Sequence, residues 1–396
     1  MKQTGGRRRP PIPVLIMMVI IFFITLAFVA IILFLRRGLY RLDQPLPPGD
    51  GNVQRLTFSV VIAARNEERN ISDCLRSIFM QDIPPGRYEV IVVDDRSGDS
   101  TPGILYRLSK QHRNLQVITI AETPPGVSPK KHAVMRGIAA ASNEVIAFTD
   151  ADCRVPPCWL ATINRYLDGD TALVQGISAH KYIYGMNKLF YGLQAVDFLS
   201  HGVISAAAIG ANLPINSNAN NMAFRKPVFD AVGGYGDDNR VTLGDDDHLL
   251  QRVWATGKKV RYMADPGCIV ETMPAPTVRE LFEQRRRWGS VTVHYNARQV
   301  ALLSAVFAFY VSIALTAVMS IFDFMYLPVF LSLLLVKLAG ELTLMAPGAR
   351  IFGRKNLLKY VHVASLLQLP LVLAAVVSGV FGKFEWKGRR MARTAG

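Results

Sequence analysis

Residues 144–152 read Glu144-Val145-Ile146-Ala147-Phe148-Thr149-Asp150-Ala151-Asp152. The apolar run has the composition of a buried strand, and it stops on two carboxylates separated by one alanine. Such a pair, just past a strand end, can give two hard oxygen ligands to one divalent cation. Mg²⁺ and Mn²⁺ take such ligands, keep part of their water and bridge to a substrate's phosphates. Open α/β sheets bind ligands at strand ends. A metal on Asp150 and Asp152 points to a nucleotide diphosphate as the group to be bound.

Working outward, residues 58–63, 89–93 and 115–120 read as further apolar strands. Helical periodicity occupies 67–79, 101–111 and 131–141. Continuous apolar strands separated by helices predict a mostly parallel sheet covered on both faces. The strand ends then share one edge. The first is Ala63-Ala64-Arg65-Asn66-Glu67 and the second opens with Asp94-Asp95 before Ser97, Asp99 and Thr101. Acidic residues at such an edge accept from a base or a ribose hydroxyl, although a polar turn with a helix cap gives the same local pattern. Lys130-Lys131 opens the next helix, and a lysine ammonium suits a phosphate.

The second half is mixed. Residues 185–210 are helical in pattern, with few charges, and extend as an apolar stretch to Pro214. Its composition suits a lipid-facing surface and core packing equally. A short helix starts at Pro227 and ends near Gly233-Gly234. Asn216, Asn218, Asn220 and Asn221 offer hydrogen bonds to sugar hydroxyls. Gly244-Asp245-Asp246-Asp247-His248-Leu249 opens another helix. Adjacent carboxylates repel, so one of them is expected to hold its proton unusually tightly, as a general base can. An acidic first turn stabilised by the helix dipole reads the same way. Gln284-Arg285-Arg286-Arg287-Trp288 follows on an amphipathic helix over 278–288. Gln284, Arg287 and Trp288 fall on one face, where an arginine can clamp a diphosphate and a tryptophan can stack on a ring; a basic, aromatic membrane-interface helix is the plainer alternative.

The chain has 396 residues, half of them apolar, and a net charge of +15. Residues 14–35 carry no charge and are long enough for a bilayer, which takes about 20 apolar residues. The run is too long for the apolar part of a cleaved leader, and Arg36-Arg37 follows it without a small-residue cleavage site. Three more apolar stretches occupy about 301–320, 324–345 and 361–380, the middle one interrupted by Lys337 and Glu341. Much of the positive charge borders these segments, as cytoplasmic membrane flanks do, so no nucleic-acid partner is implied. The four cysteines lack metal-site spacing and read as reduced thiols.

Taken together, residues 58–288 resemble the membrane-bound, inverting glycosyltransferases of family 2. Asn66-Glu67 is similar to the family's N-E element. Val93-Asp94-Asp95 with Ser97, Asp99 and Thr101 resembles its nucleotide-binding V-D-D-x-S-x-D-x-T element, and Lys130 or Lys131 with Ala133 and Gly137 resembles K-x-x-A-x-x-x-G. Asp150-Ala151-Asp152 matches D-x-D. Residues 244–249 resemble the G-[ED]-D-x-H-L form of hyaluronan and chitooligosaccharide synthases. Gln284-x-x-Arg287-Trp288 matches the Q-x-x-R-W of polytopic members, including cellulose synthase-like and ceramide glucosyltransferase-like enzymes. A dehalogenase-type phosphatase would need Thr or Val where Arg154 stands, and no phosphate-binding G-x-x-x-x-G-K-[ST] loop exists.

The resemblance implies an α/β GT-A domain over 56–290, with one N-terminal and about three C-terminal transmembrane helices. A basic tail (1–13), the helix at 14–35, a Pro/Gly linker (36–55), a membrane region (300–381) and a second basic tail (382–396) complete the expected organisation. It implies Asp246 as catalytic base, with Gln284, Arg287 and Trp288 beside it. Ala64, Asn66, Glu67, Asp94, Asp95, Lys130, Lys131 and Asp150 would hold the nucleotide, and Asp150 and Asp152 a Mg²⁺ or Mn²⁺ ion. The donor would be a nucleotide sugar, a UDP-sugar foremost, and the acceptor a lipid or a growing glycan. The expected place is the inner membrane, multi-pass, with the catalytic domain cytoplasmic. One N-terminal and three C-terminal crossings would put the basic residues 383–393 outside, against the positive-inside rule, unless 301–320 or 361–380 is re-entrant.

Overall fold

The computed structural model describes residues 12–42, 56–125, 127–236, 245–290, 295–381, 384–386 and 389–391. The expected tail over 1–11, the Pro/Gly stretch 43–55, Gly244, the side chain of Asp245 and most of the basic C-terminal tail lie outside the described residues.

The centre is a seven-stranded sheet. Its strands are β1 (Phe58–Ala64), β2 (Tyr88–Asp94), β3 (Leu115–Thr119), β4 (Val145–Phe148), β5 (Thr171–Gly176), β7 (Met222–Arg225) and β8 (Lys259–Met263), in the order β3-β2-β1-β4-β7-β5-β8. Only β7 runs antiparallel to its neighbours. β6 (Ser178–His180) and β9 (Val270–Thr272) form a small parallel ribbon. The mostly parallel α/β sheet expected from the apolar runs is thus present.

Side-chain alternation explains the layers. From β1, Val60 and Ile62 enter one core with Ile71, Leu75 and Ile78 of α2 (Ile71–Phe79), α3 (Thr101–Gln111) and α5 (Trp159–Tyr166). Val61 points the other way, to Ala133 and Ile138 of α4 (Pro129–Ala140), α7 (Lys226–Ala231) and α8 (Asp245–Ala255). Buried on both faces, these strands need apolar residues at every position. α2 begins at Ile71 rather than at Glu67. Asn66 sits in the left-handed region at φ 53°, and the N–H groups of Glu67 and Glu68 bond to Thr101 and Asp99. Those bonds hold residues 67–70 in a turn.

A third core joins α6 (Lys188–Gly210) to α1 (Ile12–Leu42), α10 (Ala297–Phe322), α11 (Leu327–Ile351) and α12 (Val361–Phe381). With α9 (Val278–Ser290) these complete the helices of the chain's second half. Among the described residues, five helices are long and apolar enough to cross a membrane: α1, α6, α10, α11 and α12. In α6, 67% of the most apolar stretch is buried, against 17–28% in the other four. α6 is therefore a core helix that lies between the sheet and the apolar helices. α1 continues past Leu35 through Arg36 and Arg37 to Leu42, and α12 runs unbroken through Pro370.

Two glycines set how closely α1 lies on α6. A Cβ on Gly38 would fall 1.9 Å from the Ala207 carbonyl oxygen, and one on Gly210 would fall 2.4 Å from the Gly38 oxygen. The obstacles are backbone, so no rotamer change relieves them. We predict that Gly210→Val destabilises the protein by about 1–3 kcal/mol or more, read as a lowered unfolding midpoint in detergent. An unchanged midpoint would show that the two helices separate without cost.

Candidate active site

The parallel ends of β1, β2 and β4 open on one edge of the sheet. The turns after β1 and β2 are bonded to each other. Asn66 N–H donates to Ser97 Oγ at 3.0 Å, Gly98 N–H donates to Asn66 Oδ1 at 2.8 Å, and Asp95 N–H donates to Ala64 O at 2.9 Å. Ser97 Oγ donates to Asp94 Oδ1 at 2.5 Å. Arg96 and Arg65 pair with the Asp95 carboxylate at 2.7 and 3.6 Å. The spacing Asp-Asp-x-Ser-x-Asp-x-Thr thus folds into one shared turn. It brings Ala64, Asn66, Glu67, Asp94 and Asp95 together, with Asp94 and Asp95 buried.

Past β4, one ligand atom each from Asp150, Asp152 and Cys153 lies within 4.8 Å of the others. Burial pushes the Cys153 thiol well above its ordinary value, which leaves the two carboxylates as the ionised ligands. That hard, paired oxygen set fits Mg²⁺ or Mn²⁺. Lys130 Nζ lies 3.2 Å from Asp150 Oδ1. The Asp150 carboxylate, and after it Asp246, raises the Lys130 value and keeps the ammonium charged against the cost of burial. Lys131 is 3% exposed and reaches Gly236 O at 3.5 Å. Of the two lysines, Lys130 is the one that borders the carboxylates.

Asp246 and Asp247 follow the start of α8. Ala219 N–H donates to Asp246 Oδ2 at 2.9 Å, Ser217 N–H donates to Asp247 Oδ1, and Tyr295 donates to Asp247 Oδ2 at 3.0 Å. Burial raises both carboxyls above the ordinary aspartate range. Lys130 pulls Asp246 back down, whereas the Asp246 charge pushes Asp247 further up. The pair therefore divides: Asp246 ionises before Asp247.

On α9, Gln284, Arg287 and Trp288 face the same cavity as Lys130, Asp150, Asp152 and Asp246. Burial lowers the Arg287 value, while the Asp150 and Asp152 charges oppose that shift. Two residues of this site carry no signal in the local sequence pattern. Arg285 is 6% exposed, ion-pairs with Asp197 of α6, stacks 4.1 Å over the Trp288 ring and donates to Gln284 Oε1 at 2.9 Å. Asp197 is the single acid of α6, a helix that also carries Lys188, Gln194 and His201, and nothing in its spacing marks it.

The cavity holds about 950 Å³ and does not end at the carboxylates. It continues between Phe28 and Ile31 of α1, Leu303 and Phe307 of α10, and Leu371 and Val372 of α12. Its near end can hold phosphates and a cation; its far wall is mostly apolar, with Tyr310, Glu341, Ser365 and Gln368 set into it.

The comparisons bear on this arrangement. A beta-monoglucosyldiacylglycerol synthase of Synechocystis sp. is 28% identical over 255 residues, 62% of this chain and 50% of that protein. A 4,4'-diaponeurosporenoate glycosyltransferase of Staphylococcus aureus is 28% identical over 234 residues, 56% of each chain. The chain spans about half the length of the curated relatives it matches. Among solved structures, a mannosyltransferase of Pyrobaculum calidifontis in complex with GDP-Man and Mn²⁺ superposes with a TM-score of 0.58. It is 19% identical and covers 92% of this chain and 99% of its own, so it shares the fold. The model of glycosyl transferase family 21 matches residues 65–396. The chain belongs to glycosyl transferase family 21 and has a GT-A-like fold.

Proposed function

We propose that the protein moves a sugar from a nucleotide-diphosphate sugar to a hydroxyl of a lipid-like membrane acceptor, with inversion at the anomeric carbon. The observation that carries this reading is the continuous cavity that joins the carboxylate edge to the mostly apolar walls of α1, α10 and α12. A hydrated glycan gains little from such walls, whereas an acyl or prenyl chain is at home there. Relatives named for the synthesis of beta-monoglucosyldiacylglycerol and for glycosyl transfer with 4,4'-diaponeurosporenoate favour the same class. The donor is a nucleotide sugar, with UDP as the foremost carrier.

In this reading Asp246 accepts the proton of the acceptor hydroxyl as its oxygen attacks the anomeric carbon. The bond to the diphosphate breaks on the opposite face, so an α-linked donor gives a β-linked product. Arg287 and Lys130 meet the charge that develops on the leaving phosphate. Gln284 and Trp288 position the acceptor end of the site. Ala64, Asn66, Glu67, Asp94 and Asp95 hold the nucleoside. Asp150 and Asp152 would hold the divalent cation, whose chemistry is to neutralise the diphosphate. Four apolar helices cross the inner membrane, and the basic residues Arg36, Arg37 and Arg41 keep the sheet domain on the cytoplasmic side.

Three outcomes test these assignments. Asp246→Asn should lower the transfer rate by about 10²–10⁴-fold while nucleotide-sugar binding changes little; normal turnover would remove the base. The acid limb of the rate profile at saturating donor should lie above the ordinary aspartate value, because burial raises Asp246 and activity needs it ionised. Lys130→Met takes away the charge that holds that value down, so the limb should move to higher pH; a limb that stays or moves down contradicts the pairing. Asp152→Ala should abolish the Mn²⁺-dependent part of donor binding, measured by calorimetry with and without Mn²⁺.

A further inference from the structure

The wall of the cavity behind the proposed base carries polar groups that the protein itself does not satisfy. Gln175 on β5 and Tyr262 on β8 are register partners on adjacent parallel strands, so their side chains leave the same face of the sheet. Each is 1% exposed, and His180 on β6 is 4% exposed. Gln175 Nε2 donates to Ser205 Oγ at 2.9 Å, and Ser205 donates onward to Asn216 O at 2.9 Å. Gln175 Oε1, the Tyr262 hydroxyl and both ring nitrogens of His180 have no hydrogen-bond partner among the described residues. All three residues line the cavity.

They stand in a row along one face of α6. The His180 ring stacks on Phe198 at 4.3 Å. The Tyr262 hydroxyl lies 3.6 Å from where a Cβ on Gly202 would be, and Gln175 bonds to Ser205. Positions 198, 202 and 205 follow the spacing of one helix face. The row is also tied to the loop that holds Asp246. Ser178, on the same strand as His180, donates to Asn220 Oδ1 at 2.5 Å, and Ala219 N–H donates to Asp246. Burial, and after it Arg285, lowers the His180 value to about 3. The ring is therefore neutral, with one nitrogen donating and the other accepting.

Buried polar groups without partners are costly and uncommon in native folds, and each one calls for an occupant. We propose that Gln175 and Tyr262, with His180 further along the same row, form a second acceptor subsite, which takes a hydroxyl of the lipid other than the one that receives the sugar. Gln175 Oε1 only accepts, so the occupant must bring a hydrogen; an ester carbonyl cannot fill the position. Tyr262, its neighbour across the strands, donates in return to the occupant's oxygen. The subsite rests on the reading of a lipid hydroxyl as acceptor.

The test uses the full chain in nanodiscs with two probes, hexadecan-1-ol and hexadecane-1,2-diol, at equal mole fraction in the bilayer. The rise of the unfolding midpoint with probe concentration gives each apparent affinity. The diol should bind about two- to tenfold more tightly, the worth of one net hydrogen bond. Tyr262→Phe, which removes one oxygen and keeps the ring, should erase that difference, and Gln175→Met should do the same. A wild-type protein that responds alike to both probes, as it would if ordered water alone satisfied these groups, overturns the subsite. So does a Tyr262→Phe variant that keeps the diol preference. Transfer of labelled sugar to the probes is read separately. A diol preference without sugar transfer to either probe supports the subsite and counts against the lipid hydroxyl as acceptor.

Discussion

The ion pair between Asp197 of α6 and Arg285 of α9 joins the two halves of the molecule. Both side chains are almost fully enclosed, at 14% and 7% exposure, and removing one partner of such a pair costs about 3–5 kcal/mol because the other charge is left buried. What the pair fixes is the position of α9. Arg285 stacks on Trp288 and bonds to Gln284, so the helix face that bears Gln284, Arg287 and Trp288 is held over the sheet edge. The pair also reaches the apolar helices. Gln368 of α12 lies beside Asp197, and its Oε1 accepts from Tyr310 of α10 at 3.0 Å and Lys337 of α11 at 3.3 Å. Lys337 in turn pairs with Glu341 and bonds to Ser365. Two cations and two anions balance within one polar chain. Charges placed among apolar helices are tolerated where they face inward and pair, and here they register four helices against the catalytic edge.

The division of labour in the cavity follows from this framework. At the sheet edge, Lys130 lies between two acidic groups and biases both. It pairs with Asp150 and lowers the value of Asp246, whereas burial and the Asp246 charge push Asp247 further up. Two adjacent aspartates thus acquire different proton affinities through their surroundings. Away from the edge, the close contact of Gly38 with Gly210 brings α1 against α6, and the aliphatic side chains of α1 become a wall of the same space. A polar reaction centre and a mostly apolar compartment share one cavity because α6 packs on both.

Strands β1 to β4 were legible in the sequence because each is its own evidence, whereas β5, β7 and β8 of the same sheet were not read from it. Residues buried on both faces must be apolar throughout, and the strands then end on Asp94 and Asp150. The face of Gln284, Arg287 and Trp288 was legible for a similar reason, since helical spacing is local. The rest depends on distant pairings that no window of sequence contains. Asp197 and Arg285 are 88 positions apart. Gln175 and Tyr262 meet through strand register, and His180 meets Phe198 across a ribbon and a helix. Residues 185–210 illustrate the limit: their composition fitted a lipid-facing surface and a core helix alike, and burial between the sheet and α1 makes them core. The start of α2 was placed four residues early because apolar periodicity says nothing about a left-handed Asn66 or its bonds to the neighbouring turn.

The most direct test is to supply the protein in lipid nanodiscs with Mn²⁺, a panel of radiolabelled nucleotide sugars and total membrane lipid, and to follow the label by thin-layer chromatography beside size exclusion. Lipid glycosylation predicts label in one discrete lipid-mobile product, from one donor, that is absent with Asp246→Asn. Label in a high-mass, chloroform-insoluble fraction would contradict it and would turn the mostly apolar cavity into a path for a growing glycan.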